Sequence, residues 1–144
     1  MHTREFLFRF KSTYTGDDNQ VADLQVWKQV DGDWVDFDFG VRSPGFEMFC
    51  LALLTCQHTY LRLNCAEKGI LLDHVDGEMH LSAGEDWEIH HLLMSFSASP
   101  RSGVTEVPDS ETIDYIIERL QHCPVSVNMR PIADCSVLFA FVGH

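Results

Sequence analysis

The chain has 144 residues, 45% of them hydrophobic and 22% charged, a composition that suits one folded domain with a core and excludes a disordered chain. No apolar run approaches the about 18 residues that a membrane-spanning helix needs. With 22 acidic against 10 basic residues and a formal net charge of -12, a basic stripe for phosphates is absent, so neither nucleic acid nor a membrane is an expected partner.

The first residues, MHTREFLFRF, carry charges but no apolar stretch followed by a small-residue cleavage site. The expectation from them is a cytoplasmic protein. Residues 5–15 alternate, with Phe6, Phe8 and Phe10 on one face and Leu7, Arg9 and Lys11 on the other, which predicts a strand. A turn cluster at Gly16-Asp17-Asp18-Asn19 leads to a second strand over 21–30. Asp31-Gly32 then predicts a hairpin turn. Residues 33–39 alternate again, with Asp36 and Asp38 opposite Val35, Phe37 and Phe39.

The pattern changes at Ser43-Pro44-Gly45, where Ser43 is a candidate N-cap and Pro44 suits a first helical turn. From Phe46 the chain reads FEMFCLALLTCQHTYLRL without Gly or Pro, and its apolar residues go nearly all round. This predicts a long helix covered on most sides, ending at Glu67-Lys68-Gly69. A partner subunit is one way to cover it. Strands are predicted over 70–81 and 87–98, joined by the turn Ser82 to Asp86. After a loop over 99–108, Asp109 is a candidate cap for a helix whose Ile113, Ile116, Ile117 and Leu120 line one face. Pro124 then predicts a further short helix with Cys123 at or near its N-cap, and 132–142 a closing strand. The order is βββ-α-ββ-αα-β. Strands and helices come in blocks, so the fold class is α+β with mainly antiparallel pairing.

Five cysteines, Cys50, Cys56, Cys65, Cys123 and Cys135, include no CxxC and no zinc-finger spacing. Cys56 lies in mid-helix, where the helix dipole offers a thiolate little. Arg42 and Arg62 are the nearest arginines in sequence. Cys123, at a helix start, meets free backbone N–H groups that favour a thiolate. Among the histidines, adjacent His90 and His91 point to opposite faces of a strand, while His80 can face one of them across a hairpin. No spacing supports a metal site, and neither metal nor organic cofactor is expected.

The segment SPGFEMFCLALLTCQHTYLRLNCAEKG, from Ser43 to Gly69, resembles the central helix of the OsmC/Ohr hydroperoxide-reductase family, and Cys123-Pro124-Val125-Ser126 resembles its second cysteine motif. The resemblance covers roughly residues 40 to 144 and implies one OsmC-like domain over 1–144, assembled as an intertwined homodimer. It implies Cys56 as the peroxidatic thiol and Cys123 as the resolving one, with Cys50, Cys65 and Cys135 structural. The substrate implied is a small organic hydroperoxide, favoured by Phe46 and Phe49, and the reductant an external dithiol or a lipoylated protein. Active family members place a Glu ahead of the Cys and an Arg beside it. Here the acid's position holds Phe46, with Glu47 one residue later, and the preceding strand offers Asp36 and Asp38, leaving Arg42 as the nearby arginine. Glu47 and Arg42 are therefore the candidate helpers. The alternative is a protein that keeps the fold and dimer without efficient peroxidase activity, binding a small ligand or sensing redox state.

Overall fold

A computed structural model of the chain describes residues 3–129 and 135–143, with only the backbone at Cys135. Six strands form one sheet: β1 (Arg4–Thr15), β2 (Gln20–Val30), β3 (Asp33–Asp36), β4 (Leu72–Ala83), β5 (Ile89–Pro100) and β6 (Cys135–Phe141), in the order β3-β2-β1-β4-β5-β6. All neighbours pair antiparallel except β5 and β6. That parallel pair follows from the connection: helix α2 (Ser110–Gln121) lies between the two strands, and a parallel neighbour needs a crossover of this kind. The other helix, α1 (Gly45–Glu67), has 23 residues and is about 34 Å long.

Period-two alternation puts one face of the sheet under α1. The row Phe8, Met79 and Met94 and the row Phe10, Gly77 and Phe96 run across β1, β4 and β5, and their side chains are buried. Gly77 is required where it stands, because the Phe10 ring occupies the space a Cβ would take. Leu53, Leu54 and Leu61 of α1 and Ile116 and Leu120 of α2 complete this core. On the opposite face the Arg9 guanidinium lies between the indoles of Trp27 and Trp34, 4.9 and 4.7 Å from the ring centroids.

The C-terminal stop of α1 forms as the sequence predicts. Gly69 takes φ +75°, its N–H bonds Ala66 O, and the Ile70 N–H bonds Cys65 O at 2.8 Å. This is a Schellman arrangement with glycine in the left-handed position. Asn19, fully buried, ties the same corner: its Nδ2 donates to Arg62 O and Ile70 O, and its Oδ1 accepts the Leu72 N–H.

Several boundaries differ from the sequence reading. Pro44, not Ser43, is the N-cap of α1, and the Ser43 hydroxyl instead accepts the Gly40 N–H, closing the preceding turn. Strand β3 ends at Asp36, although the Phe37 N–H still bonds Val26 O. Phe37 is buried, while Phe39 stacks on it from the exposed side. Strands β4 and β5 each begin two residues later than predicted. The short helix after Cys123 is a single 3-10 turn, Ser126–Met129. Residues 132–134 of the predicted last strand lie outside the described residues. Asp109 caps α2 as expected, accepting the Thr112 N–H at 2.8 Å.

Candidate active site

Cys56 projects from the middle of α1 on a side that the sheet does not cover, and it is half-buried. The segment after α2 turns back over that position. His122 closes α2, and Cys123-Pro124-Val125-Ser126 follows without a regular element until the 3-10 turn. Pro124 cannot donate a backbone hydrogen bond, so the turn is capped by the residue before it. Cys123 is that cap: its Sγ accepts the Ser126 N–H at 3.3 Å, and its carbonyl accepts the Val127 N–H at 3.1 Å. Cys123 thus stands near the start of the short helix, as read from the sequence, with sulfur as the acceptor.

This turn brings the two thiols together. Cys123 comes close enough to Cys56 to disfavour its thiolate, and the backbone of Val125 lies close enough to favour it. Both cysteines are free. Burial pushes the Cys56 thiol up to about 11; the Val125 N–H opposes this, and the neighbouring Cys123 adds to it.

Two residues not assigned a role from sequence complete the cluster. The Ser126 hydroxyl lies 2.8 Å from Cys123 Sγ, which donates to it, and 2.8 Å from Gln57 Nε2, which also donates to it. Gln57 and Ser126 are both buried, and Gln57 Oε1 has no hydrogen-bond partner. The only sequence signal for Gln57 is a polar amide directly after Cys56 in an otherwise apolar stretch. For Ser126 it is a hydroxyl three residues beyond a candidate cap, the spacing at which a capping interaction closes.

The expected helpers stand elsewhere. Glu47, in the first turn of α1, is about 13 Å along the helix axis from Cys56. Its carboxylate pairs with Lys28 of β2 at 3.1 Å, and it lies close enough to Cys50 to raise that thiol further after burial has done most of the work. Arg42 sits on the exposed loop with Asp38, Gly40 and Ser43. Neither residue is among the groups acting on Cys56. Phe46 likewise turns away from the thiols, packing on Phe6, Phe49 and Trp87 with centroids 4.9, 5.8 and 5.0 Å away. Cys50 and Cys65 are fully buried. The side chain of Cys135 lies outside the described residues.

His80 does face His91 across the β4–β5 hairpin, with ring centroids 5.5 Å apart, and its Nε2 bonds Glu5. Among the described residues no group of three or more His, Cys, Asp or Glu side chains could hold a metal ion. No helix among them is long and apolar enough to cross a membrane.

The fold is α+β, with one cysteine on the long helix and another on the turn after the second helix. Solved structures supply the particular fold. The chain is similar to an OsmC-like hydroperoxide resistance protein from Jannaschia sp. CCS1, at 19% identity over 88% of this chain and 87% of that one, with a TM-score of 0.55. It is also similar to a putative osmotic stress induced and detoxification response protein from Psychrobacter arcticus 273-4, at 13% identity over 91% and 94% with a TM-score of 0.56. An OsmC-like protein from Mycoplasma pneumoniae matches at 10% identity over 92% and 94%, with a TM-score of 0.53. The chain has the OsmC-like fold. No family model and no curated protein sequence matches it.

Proposed function

We propose that this chain belongs to the OsmC/Ohr family and reduces small organic hydroperoxides through Cys56 and Cys123. The placement of two free cysteines, Cys56 on α1 and Cys123 on the turn beside it, carries the reading. A Cys56 thiolate attacks the O–O bond of the hydroperoxide, the alkoxide leaves and takes a proton, and Cys56 becomes a sulfenic acid. The Cys123 thiolate attacks that sulfur, the S–O bond breaks, and water forms as the disulfide closes. An external dithiol or a lipoylated protein restores both thiols by exchange. The Val125 N–H supports the first step, since a hydrogen bond to the thiolate form favours it.

The active form in this proposal is a homodimer. Ala52 and Leu63 of α1 are exposed, Leu63 at 44%, and so is the neighbouring Leu24 of β2 at 40%. A second copy laid on this side would cover apolar surface and close the approach to Cys56.

A second reading is favoured by the engagement of Glu47 by Lys28, with burial pushing the Cys56 thiol up to about 11. In that reading the same dimer binds a small ligand or senses redox state without fast turnover.

Counting free thiols after cumene hydroperoxide is added to the reduced protein separates the two. Rapid loss of two thiols per chain, abolished in Cys56→Ser, is the peroxidase result. Oxidation no faster than that of a free thiol removes that reading and leaves the second.

A further inference from the structure

The hydrogen bonds around Ser126 have a direction, and that direction bears on Cys123. A serine hydroxyl has one hydrogen to give and two lone pairs to accept with. Gln57 Nε2 is a fixed donor at 2.8 Å, so it always occupies one of the lone pairs. While Cys123 is a thiol, it donates into the other. Once Cys123 loses its proton, the hydroxyl hydrogen has one nearby acceptor of full charge, the sulfur itself, and turns to it. The thiolate then receives two donors from one residue, the Ser126 hydroxyl and the Ser126 backbone N–H, already 3.3 Å away. Gln57 is 2% exposed and Cys123 fully buried, so water does not compete for these positions. Gln57 Oε1 has no hydrogen-bond partner, so the amide engages Ser126 through its donor end.

We propose that Gln57 and Ser126 are positioning residues for the resolving thiol: Gln57 fixes the Ser126 hydroxyl so that it donates to the Cys123 thiolate, which prepares that sulfur to close the disulfide on Cys56. This rests on the dithiol reading above, but it concerns only the second sulfur and is testable without any peroxide.

The experiment loads Cys56 with Ellman's reagent, which leaves a mixed disulfide with thionitrobenzoate on the half-buried sulfur. The Cys123 thiolate attacks Cys56 Sγ, the Cys56–thionitrobenzoate bond breaks, and the released dianion absorbs at 412 nm. This second release is followed across pH in the wild type, Gln57→Met, Ser126→Ala and Ser126→Thr, with Cys123→Ser as the blank. In Gln57→Met and Ser126→Ala the release at neutral pH slows roughly fivefold, because the lost thiolate fraction is only partly offset by the greater nucleophilicity of a more basic sulfur. The gap closes as pH rises, which a purely structural defect would not show. Ser126→Thr keeps the hydroxyl and restores the rate. Gln57→Met also removes the orphaned acceptor, so it leaves thermal stability unchanged or raised while the rate falls. If it does not fold, Ser126→Ala alone decides. Unchanged release in the variants, or a gap that persists at every pH, overturns the inference. Wild-type inertness to cumene hydroperoxide with these rate effects intact removes the peroxidase reading and leaves the Gln57–Ser126 assignment standing.

Discussion

The Tyr14 hydroxyl and His58 Nε2 stand 2.6 Å apart in the core between β1 and α1, with the Phe10 ring 4.8 Å from the imidazole. Burial pushes the Tyr14 hydroxyl well above its usual range, so it stays protonated and donates to Nε2. Burial, with Arg62 adding to it, lowers His58 to about 4 from an ordinary 6.5. The pair is neutral in the folded protein.

That neutrality gives folding a pH dependence. Between about 4 and 6.5 the unfolded chain binds a proton at His58 that the folded chain does not, so stability is full above that window and falls as pH drops through it. The loss is roughly 3 kcal/mol by pH 4. Urea unfolding at pH 7, 5 and 4 measures it. His58→Gln, which still accepts from Tyr14 and does not titrate, is expected to show a shallower decline. An identical decline in both proteins rules out His58 as the cause.

Asn19→Ala removes three hydrogen bonds at one buried corner and leaves two carbonyls and the Leu72 N–H without that side chain. A destabilisation of about 2–4 kcal/mol is expected from unsatisfied buried groups of this kind. The denaturant midpoint reads it directly, and a change below half a kcal/mol would show that the corner is held by other contacts.

Gly77→Ala places a methyl group against the Phe10 ring, which is itself buried over His58 and Phe96. Overpacking at such a site costs roughly 1–3 kcal/mol. The paired change Gly77→Ala with Phe10→Leu is expected to recover part of that loss, and a thermal melt of the four proteins of the cycle measures how much.

The uncovered side of α1 sets the oligomeric state in the proposed assembly. Ala52→Arg is expected to convert a dimer to a monomer in sedimentation velocity, with the far-ultraviolet circular dichroism unchanged. A wild-type chain that sediments as a monomer at high micromolar concentration speaks against the dimer.

A good part of the fold was legible in the sequence because its signals are local. Alternation in β1 put Phe8 and Phe10 inward, and a Gly at the left-handed position ended α1. The α+β order, the capping by Asp109 and the cap position of Cys123 follow from the same short-range chemistry. Boundaries were less legible where two local options compete. Ser43 could cap the helix or close the turn before it, and the Gly40 N–H claimed its hydroxyl. Pro124 announces a helical turn, and among the described residues after it a single 3-10 turn forms, Ser126–Met129.

By itself the sequence determined which cysteines stand in distinctive settings: Cys56 in an apolar helix, and Cys123 ahead of a proline at a helix start. Only the tertiary structure decided what surrounds them. It brought Cys123 near Cys56, because the turn that follows α2 packs beside α1. It turned Glu47 to Lys28 and left Arg42 on an exposed loop, because the packing of α1 against the strands decides which of these charges meet. It also gave Gln57 a partner in Ser126, a contact between residues far apart in the chain that no local pattern encodes.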